Sequence, residues 1–266
     1  MGKLIHEQLT YVVRGVLMDV HTDLKPMLAE QFYQEAVEIG LQEAHVPFEA
    51  QRNFEVVYEG ERVGLYAPDF CVDGLKVILE LKVAAAITGL HKAQALSYLK
   101  VTDADLALVA NFGAPSLEVE RLPNFMRERR PEFAWEPQGL TPEQLYPELC
   151  AALYEALHRV HFALGPGFLH QVYRRATMAE LRRQGIAYRY RKHLPVEFHG
   201  HHLGQDDCRL IVADDRVAIA AFALKSVTQS HEQRFKPHLR TLGLQLGLLA
   251  NFHDTRLHIQ PVRITR

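Results

Sequence analysis

Apolar residues along the first 122 positions follow a helical period first and a strand period later. Two segments, Glu7–Leu24 and about 28–44, place apolar residues three or four positions apart, and this spacing predicts two amphipathic helices. Alternating and continuous apolar runs then predict three strands, which turn residues at Glu59-Gly60 and Asp73-Gly74 separate. The predicted strands are Phe54–Tyr58, Val63–Val72 and Lys76–Val83.

A third helix and two more strands complete this pattern. The helix is predicted from Leu90 to Lys100, again from its apolar spacing. Leu106–Ala110 is wholly apolar, which is typical of a central strand buried on both faces, and Leu117–Arg121 is predicted as an edge strand. The order α-α-β-β-β-α-β-β predicts an α/β unit with a mixed sheet.

The same pattern returns 140 residues later without a gap. Identical residues stay in register over more than ninety positions and include unlike residue types, which predicts a duplicated domain. We therefore expect one domain at 1–122, a linker at 123–140 and a second domain at 141–266. The identical residues include Val20-His21 and Val160-His161, Tyr33 and Tyr173, His91 and His231, and Ala110-Asn111-Phe112 and Ala250-Asn251-Phe252.

The charge of the chain is divided unevenly between the two copies. An apolar share of 48% and a charged share of 23% are typical of a globular protein and argue against disorder. The net charge is −2, but residues 1–140 carry 13 Lys and Arg against 21 Asp and Glu, whereas residues 141–266 carry 17 against 11. The basic second copy is therefore the part that we expect to meet phosphates.

Cysteine usage and hydropathy bear on the compartment. Cys71, Cys150 and Cys208 show no paired spacing, which favours a reducing, intracellular setting. The first residues lack an apolar signal core, and no run of about eighteen apolar residues occurs. We expect a soluble cytoplasmic protein that has no membrane partner.

The candidate chemistry lies in the hairpin from Asp69 to Lys82. Side chains alternate along the returning strand, so Glu80 and Lys82 share one face and Asp69 can come near them from across the hairpin. Two carboxylates and an ammonium beside an apolar strand are costly unless a metal or a substrate uses them. Together they could hold Mg²⁺ through oxygen ligands and place a lysine beside an attacking water. The alternative is that Glu80 and Lys82 form an ordinary surface ion pair.

The spacing of these residues resembles a known nuclease motif. Pro68-Asp69, ten further residues and then Glu80-x-Lys82 resemble the PD-(D/E)XK motif. In the second copy, Gly165-x-Gly167-Phe168-x-His170-x-x-Tyr173 lines up with the G-x-G-F-x-E-x-x-Y signature of the bacterial GxxxExxY proteins, which look like small PD-(D/E)XK nucleases. The first copy keeps Glu30 and Tyr33 of that signature but not its glycines.

The resemblance covers nearly all of both copies, and it implies two tandem restriction-endonuclease-like domains, each a mixed central sheet flanked by helices. It also implies a metal-dependent phosphodiesterase site in the first copy. Asp69 and Glu80 would hold Mg²⁺ or Mn²⁺, with the carbonyl of Leu81 as a further ligand. The other residues implied to be catalytic are Lys82 beside the attacking water, Glu30 as a water-mediated ligand or proton acceptor, and Gln94 with Tyr98 on one helix face.

Structural roles are the alternatives for several of these residues. Tyr33 and Tyr98 could belong partly to the core, His91 could cap its helix, and Glu30 could be a solvated helix residue. A zinc site at His199-Gly200-His201-His202 is also disfavoured, because the aligned residues of the first copy form a predicted hairpin turn.

The second copy has lost every candidate ligand. Asp69 aligns with Arg209, and Glu80 aligns with Ala220. Neither replacement can bind a hard divalent cation, so this copy is predicted to be catalytically inactive. The other replacements are Phe222 for Lys82, His170 for Glu30 and Arg234 for Gln94.

The basic residues of the second copy are candidate contacts for nucleic acid. They recur at helical spacing along its second helix and at two of the replaced site positions. The alternative is that they solvate the helix and pair with the acidic first copy. The candidates are Arg174, Arg175, Arg182, Arg183, Arg209 and Arg234.

Three functions fit this sequence. The first is a Mg²⁺- or Mn²⁺-dependent nuclease, with a catalytic first copy and a second copy that binds nucleic acid or mimics a dimer partner, forming an intramolecular pseudo-dimer. Its substrate is DNA or RNA, and we expect DNA in preference. A homodimer is a further possibility. The alternative functions are a non-catalytic nucleic-acid-binding or regulatory protein of nuclease fold and a purely structural interaction protein.

Overall fold

The computed structural model describes residues 4–133 and 145–265. They divide into two compact units, and the division does not follow the chain strictly. The first unit contains residues up to 56 and residues 65–128, and the second contains residues 57–64 and residues from 129 onward. A short piece of the first copy thus belongs, by its contacts, with the second copy.

The elements of the first copy begin and end close to the positions that the apolar pattern predicts. They are α1 (Glu7–Leu24), α2 (Glu30–Glu43), β1 (Phe48–Ala50), β2 (Phe54–Tyr58), β3 (Glu61–Tyr66), β4 (Phe70–Val72), β5 (Val77–Lys82), α3 (Gly89–Thr102), β6 (Leu106–Asn111) and β7 (Glu118–Pro123). The elements of the second copy are α4 (Pro147–Leu164), α5 (His170–Arg183), β8 (Tyr188–Phe198), β9 (His201–Ala213), β10 (Val217–Phe222), α6 (Gln229–Thr241), β11 (Leu246–Asn251) and β12 (His258–Arg263).

Each copy has a five-stranded mixed sheet. The strand order is β1-β4-β5-β6-β7 in the first copy and β12-β11-β10-β9-β8 in the second. In both sheets the central pair, β5 with β6 and β10 with β11, is parallel, while the strands on either side are antiparallel. The predicted α/β class and mixed sheet are confirmed, and so is the duplication.

The core of the first unit explains why the hairpin strand presents its charges on one side. Leu79 and Leu81 of β5 pack into one apolar cluster with Leu17 of α1 and Tyr33 of α2. Because side chains alternate along a strand, Glu80 lies on the opposite face of β5. The period of the strand therefore separates the core face from the site face.

One predicted strand is wrong in its extent. Val63–Val72 is broken at residues 67–69 into β3 and β4. Pro68 has no N–H to donate to a ladder, and the Asp69 side chain accepts a backbone hydrogen bond from Leu81, so the chain leaves regular strand geometry here. The second copy has no proline at this point, and β9 runs through with a bulge at Arg209, whose φ is 49°. The short strand β1 was not predicted, because three residues carry no readable period.

Part of the predicted linker has regular structure. Pro123 ends β7, and Phe125–Glu128 form a 3₁₀ turn. Residues 134–140 of the predicted linker lie outside the described residues. Among the helices that the structure describes, none combines the length and the apolar content needed to cross a bilayer.

Candidate active site

The local chain path brings Asp69 to β5. Asp69 directly precedes β4, and β4 pairs with β5 in antiparallel register, with Phe70 opposite Leu79. Asp69 Oδ2 accepts a hydrogen bond from the backbone N–H of Leu81 at 2.7 Å. This bond fixes the first carboxylate beside the strand that carries the second, Glu80.

Glu80 is almost completely buried, with 2% of the residue exposed. One carboxylate oxygen, Oε1, lies 2.6 Å from Lys82 Nζ. The other oxygen, Oε2, is buried and has no hydrogen-bond partner within the described part of the chain. An ordinary surface ion pair is therefore excluded for Glu80 and Lys82, and a buried acceptor is left for a ligand to satisfy.

The electrostatics of the two carboxyls favour an added cation. Burial first, and then the charge of Asp69, raise the pKa of Glu80 from 4.5 to about 7, although Lys82 opposes the shift. Burial also raises the pKa of Asp69, with Glu30 adding to the rise, while the Leu81 N–H and Lys82 oppose it. Two carboxyls that resist ionisation together are a common property of sites that take a metal ion.

Gln94 and Tyr98 lie one turn apart on α3, as the sequence predicts, and they contact each other. Gln94 Nε2 donates to the Tyr98 hydroxyl at 2.7 Å, and that hydroxyl also lies 3.4 Å from the Ala67 oxygen. Burial and the charge of Glu80 raise the pKa of Tyr98. Tyr98 is thus a neutral, buried hydroxyl within the electrostatic reach of Glu80.

Glu30 and His91 have different positions. Glu30 begins α2 and is exposed, and it enters the site only through the effect of its charge on Asp69. His91 forms a capping box with Thr88 at the start of α3. Tyr33 is buried in the core, where its hydroxyl donates to the Lys25 oxygen at 2.5 Å and its ring stacks on Phe112.

The arrangement can bind a divalent metal, but with a small number of protein ligands. Among the described residues no group of three or more His, Cys, Asp or Glu side chains is arranged to hold a metal. The protein ligands would be the carboxylates of Asp69 and Glu80 and the carbonyl of Leu81. A hard cation with an oxygen-ligand preference suits that set, and it would satisfy Glu80 Oε2.

The equivalent place in the second copy has a different chemistry. Ala220 stands at the position of Glu80, and Phe222 stands at the position of Lys82. Asp206 accepts from His238 at 2.7 Å and from Arg234 at 3.2 Å. These three residues align with Tyr66, Tyr98 and Gln94, so an ion-pair cluster replaces the neutral hydroxyl and amide pair of the first copy.

Five of the six candidate arginines contact other groups of the second unit. Arg182 pairs with Glu61 and contacts Tyr188, while Arg183 pairs with Glu180. The remaining three contacts are Arg175 with the Val63 oxygen, Arg209 with Asp207 and Arg234 with Asp206.

Arg174 is the exception among them. It is 8% exposed, its guanidinium lies 5.5 Å from the centre of the Tyr190 ring, and no hydrogen bond or ion pair is present for it within the described residues. Burial and the neighbouring Arg209 hold the pKa of Arg174 below its ordinary value.

Asn111 and Gly113 have a role that the sequence pattern did not assign. The Asn111 side chain holds both the N–H and the C=O of Ala84, each at 2.9 Å, and so anchors the chain two residues after Lys82. A Cβ at Gly113 would lie 2.5 Å from the Ala84 backbone. Asn251 makes the same pair of bonds to Leu224 in the second copy. Retention of this asparagine in a copy without ligands is the signal that marks Asn111 as structural, whereas His253 replaces Gly113 there.

Fold and site together define a protein with two tandem nuclease-fold domains. A sequence profile of the PD-(D/E)XK nuclease superfamily matches residues 7–122 and 147–264. The chain belongs to that superfamily, whose members generally use divalent metals. The narrower resemblance to the GxxxExxY proteins stays a prediction.

Comparisons with individual proteins add little. No curated protein matches the chain. Among solved structures, one described as "Crystal structure of SSO0001" is 14% identical and covers 53% of this chain and 100% of its own, with a TM-score of 0.23. That likeness is too low to carry a structural argument.

Proposed function

We propose that the first copy hydrolyses phosphodiester bonds of nucleic acid with the help of Mg²⁺ or Mn²⁺. The observation that carries this proposal is the buried Glu80 Oε2, which lacks a protein partner among the described residues while Oε1 is held by Lys82. A buried carboxylate that binds no ligand could be replaced by an apolar residue with no loss, or even a gain, of stability. The presence of a carboxylate at this buried position therefore indicates that Glu80 binds a ligand.

The roles of the residues follow from their contacts. When bound, the divalent ion would neutralise phosphate charge and lower the pKa of a water molecule. Asp69, fixed by the Leu81 N–H, would offer its second oxygen, and Glu80 would offer Oε2. Lys82 would orient the attacking water and offset the charge that develops on the phosphate.

Gln94, Tyr98 and Glu30 would act around this centre. The Tyr98 hydroxyl, neutral because its pKa is raised, can donate a hydrogen bond to a phosphate oxygen or to water, and Gln94 fixes its direction. Glu30 is exposed and close enough to influence Asp69, so it would accept a proton through water.

Cleavage is tested with labelled single- and double-stranded DNA and RNA in Mg²⁺, in Mn²⁺ and in EDTA. We expect cleavage in either metal and none in EDTA, with DNA preferred. Lys82→Ala protein purified in parallel is the control for a contaminating nuclease. Equal cleavage by that variant, or no cleavage of any substrate by the wild type, would contradict the proposal.

The second copy would contribute to the binding of nucleic acid. Arg174 is 8% exposed, its guanidinium lies over the Tyr190 ring, and it has no carboxylate partner within the described chain, so it can bind an anion without breaking an ion pair. A phosphate would supply that anion. The other five arginines stay predicted contacts, although their present contacts equally suit the alternative in which they stabilise the fold.

Arg174→Ala is therefore expected to weaken nucleic-acid binding several-fold at low salt and to reduce the salt dependence by about one unit of slope. Arg159→Ala is a matched control, because Arg159 is an exposed arginine of the second copy that already pairs with Glu155 and is not among the six candidates. Fluorescence anisotropy with a labelled oligonucleotide across a salt series measures both. An unchanged slope in Arg174→Ala would assign this arginine to the fold alone.

A second candidate function is nucleic-acid binding or regulation without cleavage. It is favoured by the excess of acidic residues in the first copy and by the metal-ligand set beside Lys82, where the described residues place two carboxylates, Asp69 and Glu80, and no third. The cleavage test separates the two functions, since this candidate predicts binding that Mg²⁺ does not convert into product.

A further inference from the structure

The tip of the β2–β3 hairpin packs on α5 within the second unit. Residues 57–64 form this tip. Tyr58 and Val63 are 3% and 2% exposed there, so both are covered. The polar contacts are Tyr58 Oη to Glu180 Oε2 at 2.9 Å, Arg175 Nη1 to the Val63 oxygen at 3.4 Å, and the ion pair of Arg182 with Glu61.

The second copy has the same hairpin tip, formed by β8 and β9. The turn His199-Gly200 has φ angles of 48° and 80°, which are also the values at Glu59 and Gly60. Phe198 and Leu203, the counterparts of Tyr58 and Val63, are 62% and 66% exposed. The second tip thus turns large apolar side chains to solvent at the positions where the first tip buries them.

The helix of the first copy that corresponds to α5 is α2, and the matching face of α2 is exposed as well. The face of α5 that meets the first tip contains Arg175 and Arg182. Val172 and Ala179 share this face at helical spacing, and both are buried. On α2 the corresponding residues Phe32 and Ile39 are 46% and 57% exposed. Large apolar residues are thus exposed both on the second tip and on α2, at the positions that make the contact in the first tip and α5. Exposed apolar residues of this size indicate an interaction surface.

The polar residues around the two surfaces differ in type. The first tip carries Glu59 and Glu61, and α5 carries Arg175, Arg182 and Arg183, whereas the corresponding positions are His199 and His201 on the second tip and Glu35, Gln42 and Glu43 on α2. The Tyr58–Glu180 hydrogen bond has its donor and its acceptor replaced together, by Phe198 and Gly40.

We propose that the β8–β9 hairpin tip of one chain docks on α2 of a second copy of this chain. The packing of the first tip on α5 is the template for this contact, and Phe198, Leu203, Phe32 and Ile39 are exposed at the positions whose counterparts are buried in the template. Each chain carries one tip and one helix face, so two chains can make the contact twice and close a dimer. The surface is independent of the metal site.

Molar mass in solution tests the contact. The wild type, whose chain mass is 30.4 kDa, is expected to sediment at twice that mass at high concentration. Phe198→Glu and Ile39→Glu should each weaken association more than tenfold, because each places a charge in the apolar centre of the contact. Val57→Glu is the matched control, since Val57 is equally exposed on a hairpin but lies outside the proposed surface.

Mixing the two variants gives a sharper result. Phe198→Glu keeps an intact α2, and Ile39→Glu keeps an intact tip, so a mixture can form one good contact and should yield mixed dimers that neither variant forms alone. A wild type that stays monomeric up to about 100 µM would overturn the proposal. So would a mixture that stays monomeric, or an equal loss of association in Val57→Glu.

Discussion

Glu80→Gln is expected to remove metal binding and nucleic-acid cleavage together, with a loss of activity of at least about a hundredfold. The amide keeps the size of the side chain and can still accept from Lys82 Nζ, which lies 2.6 Å from Glu80 Oε1. It lacks the charge that a hard cation needs, and among the described residues Asp69 is the one other carboxylate that lies directly beside Glu80. Calorimetric titration with Mn²⁺ and the cleavage assay measure the two losses.

Lys82→Ala should separate the loss of cleavage from the loss of metal binding. The variant keeps both carboxylates, so Mn²⁺ binding is retained at about pH 8.5, where Glu80 has released its proton to solvent, while cleavage is lost. Glu120→Gln is a matched control for Glu80→Gln, because Glu120 is a partly exposed carboxylate on β7 of the same sheet, where it pairs with Lys92. Metal binding in Glu80→Gln at wild-type affinity would remove Glu80 from the metal site.

The pH dependence of stability provides the second large effect. Folding raises the pKa of Glu80 from 4.5 to about 7, so the folded metal-free protein binds this proton more tightly than the unfolded chain does. The stabilisation is complete below about pH 4.5 and is lost as the pH rises through about 7. Glu80→Gln has no such proton to lose, so above pH 7 the metal-free variant is expected to be more stable, by on the order of 2 to 3 kcal/mol.

Metal should reverse this order. Mn²⁺ binds the ionised carboxylates of the folded protein, so at about pH 8 it stabilises the wild type and leaves Glu80→Gln unchanged. Thermal unfolding in EDTA and in Mn²⁺, from about pH 5 to about pH 8.5, measures both effects on the transition of the first unit. A metal-free wild type whose midpoint rises from pH 5 to pH 8 relative to the variant would contradict the assigned pKa direction.

The fold was largely predictable because its signals are local. Helical and strand periods, with turns such as Glu59-Gly60 and Asp73-Gly74, predicted most elements of both copies to within a few residues. The errors fall where the period is interrupted or too short. Pro68 and Asp69 break a strand whose apolar pattern continues, and β1 is three residues long.

The spacing along the sequence predicted which residues form the candidate site, but not how deeply they are buried or how their pKa values are shifted. Spacing placed Asp69, Glu80 and Lys82 on one hairpin. It did not show that Glu80 is buried with one oxygen lacking a partner among the described residues, because burial depends on what α3 and the neighbouring strands place over that face. The raised pKa of Glu80 follows from that burial.

By itself, the sequence determined the duplicated α/β architecture and the absence of ligands at the aligned positions of the second copy, since both are properties of residue type and register. The tertiary structure alone decided which arginines already have partners and where the first hairpin tip belongs. Tyr58 and Glu180 are 122 residues apart, and no local period connects them. Their contact exists because two folded surfaces meet, and such complementarity is a property of the assembled chain.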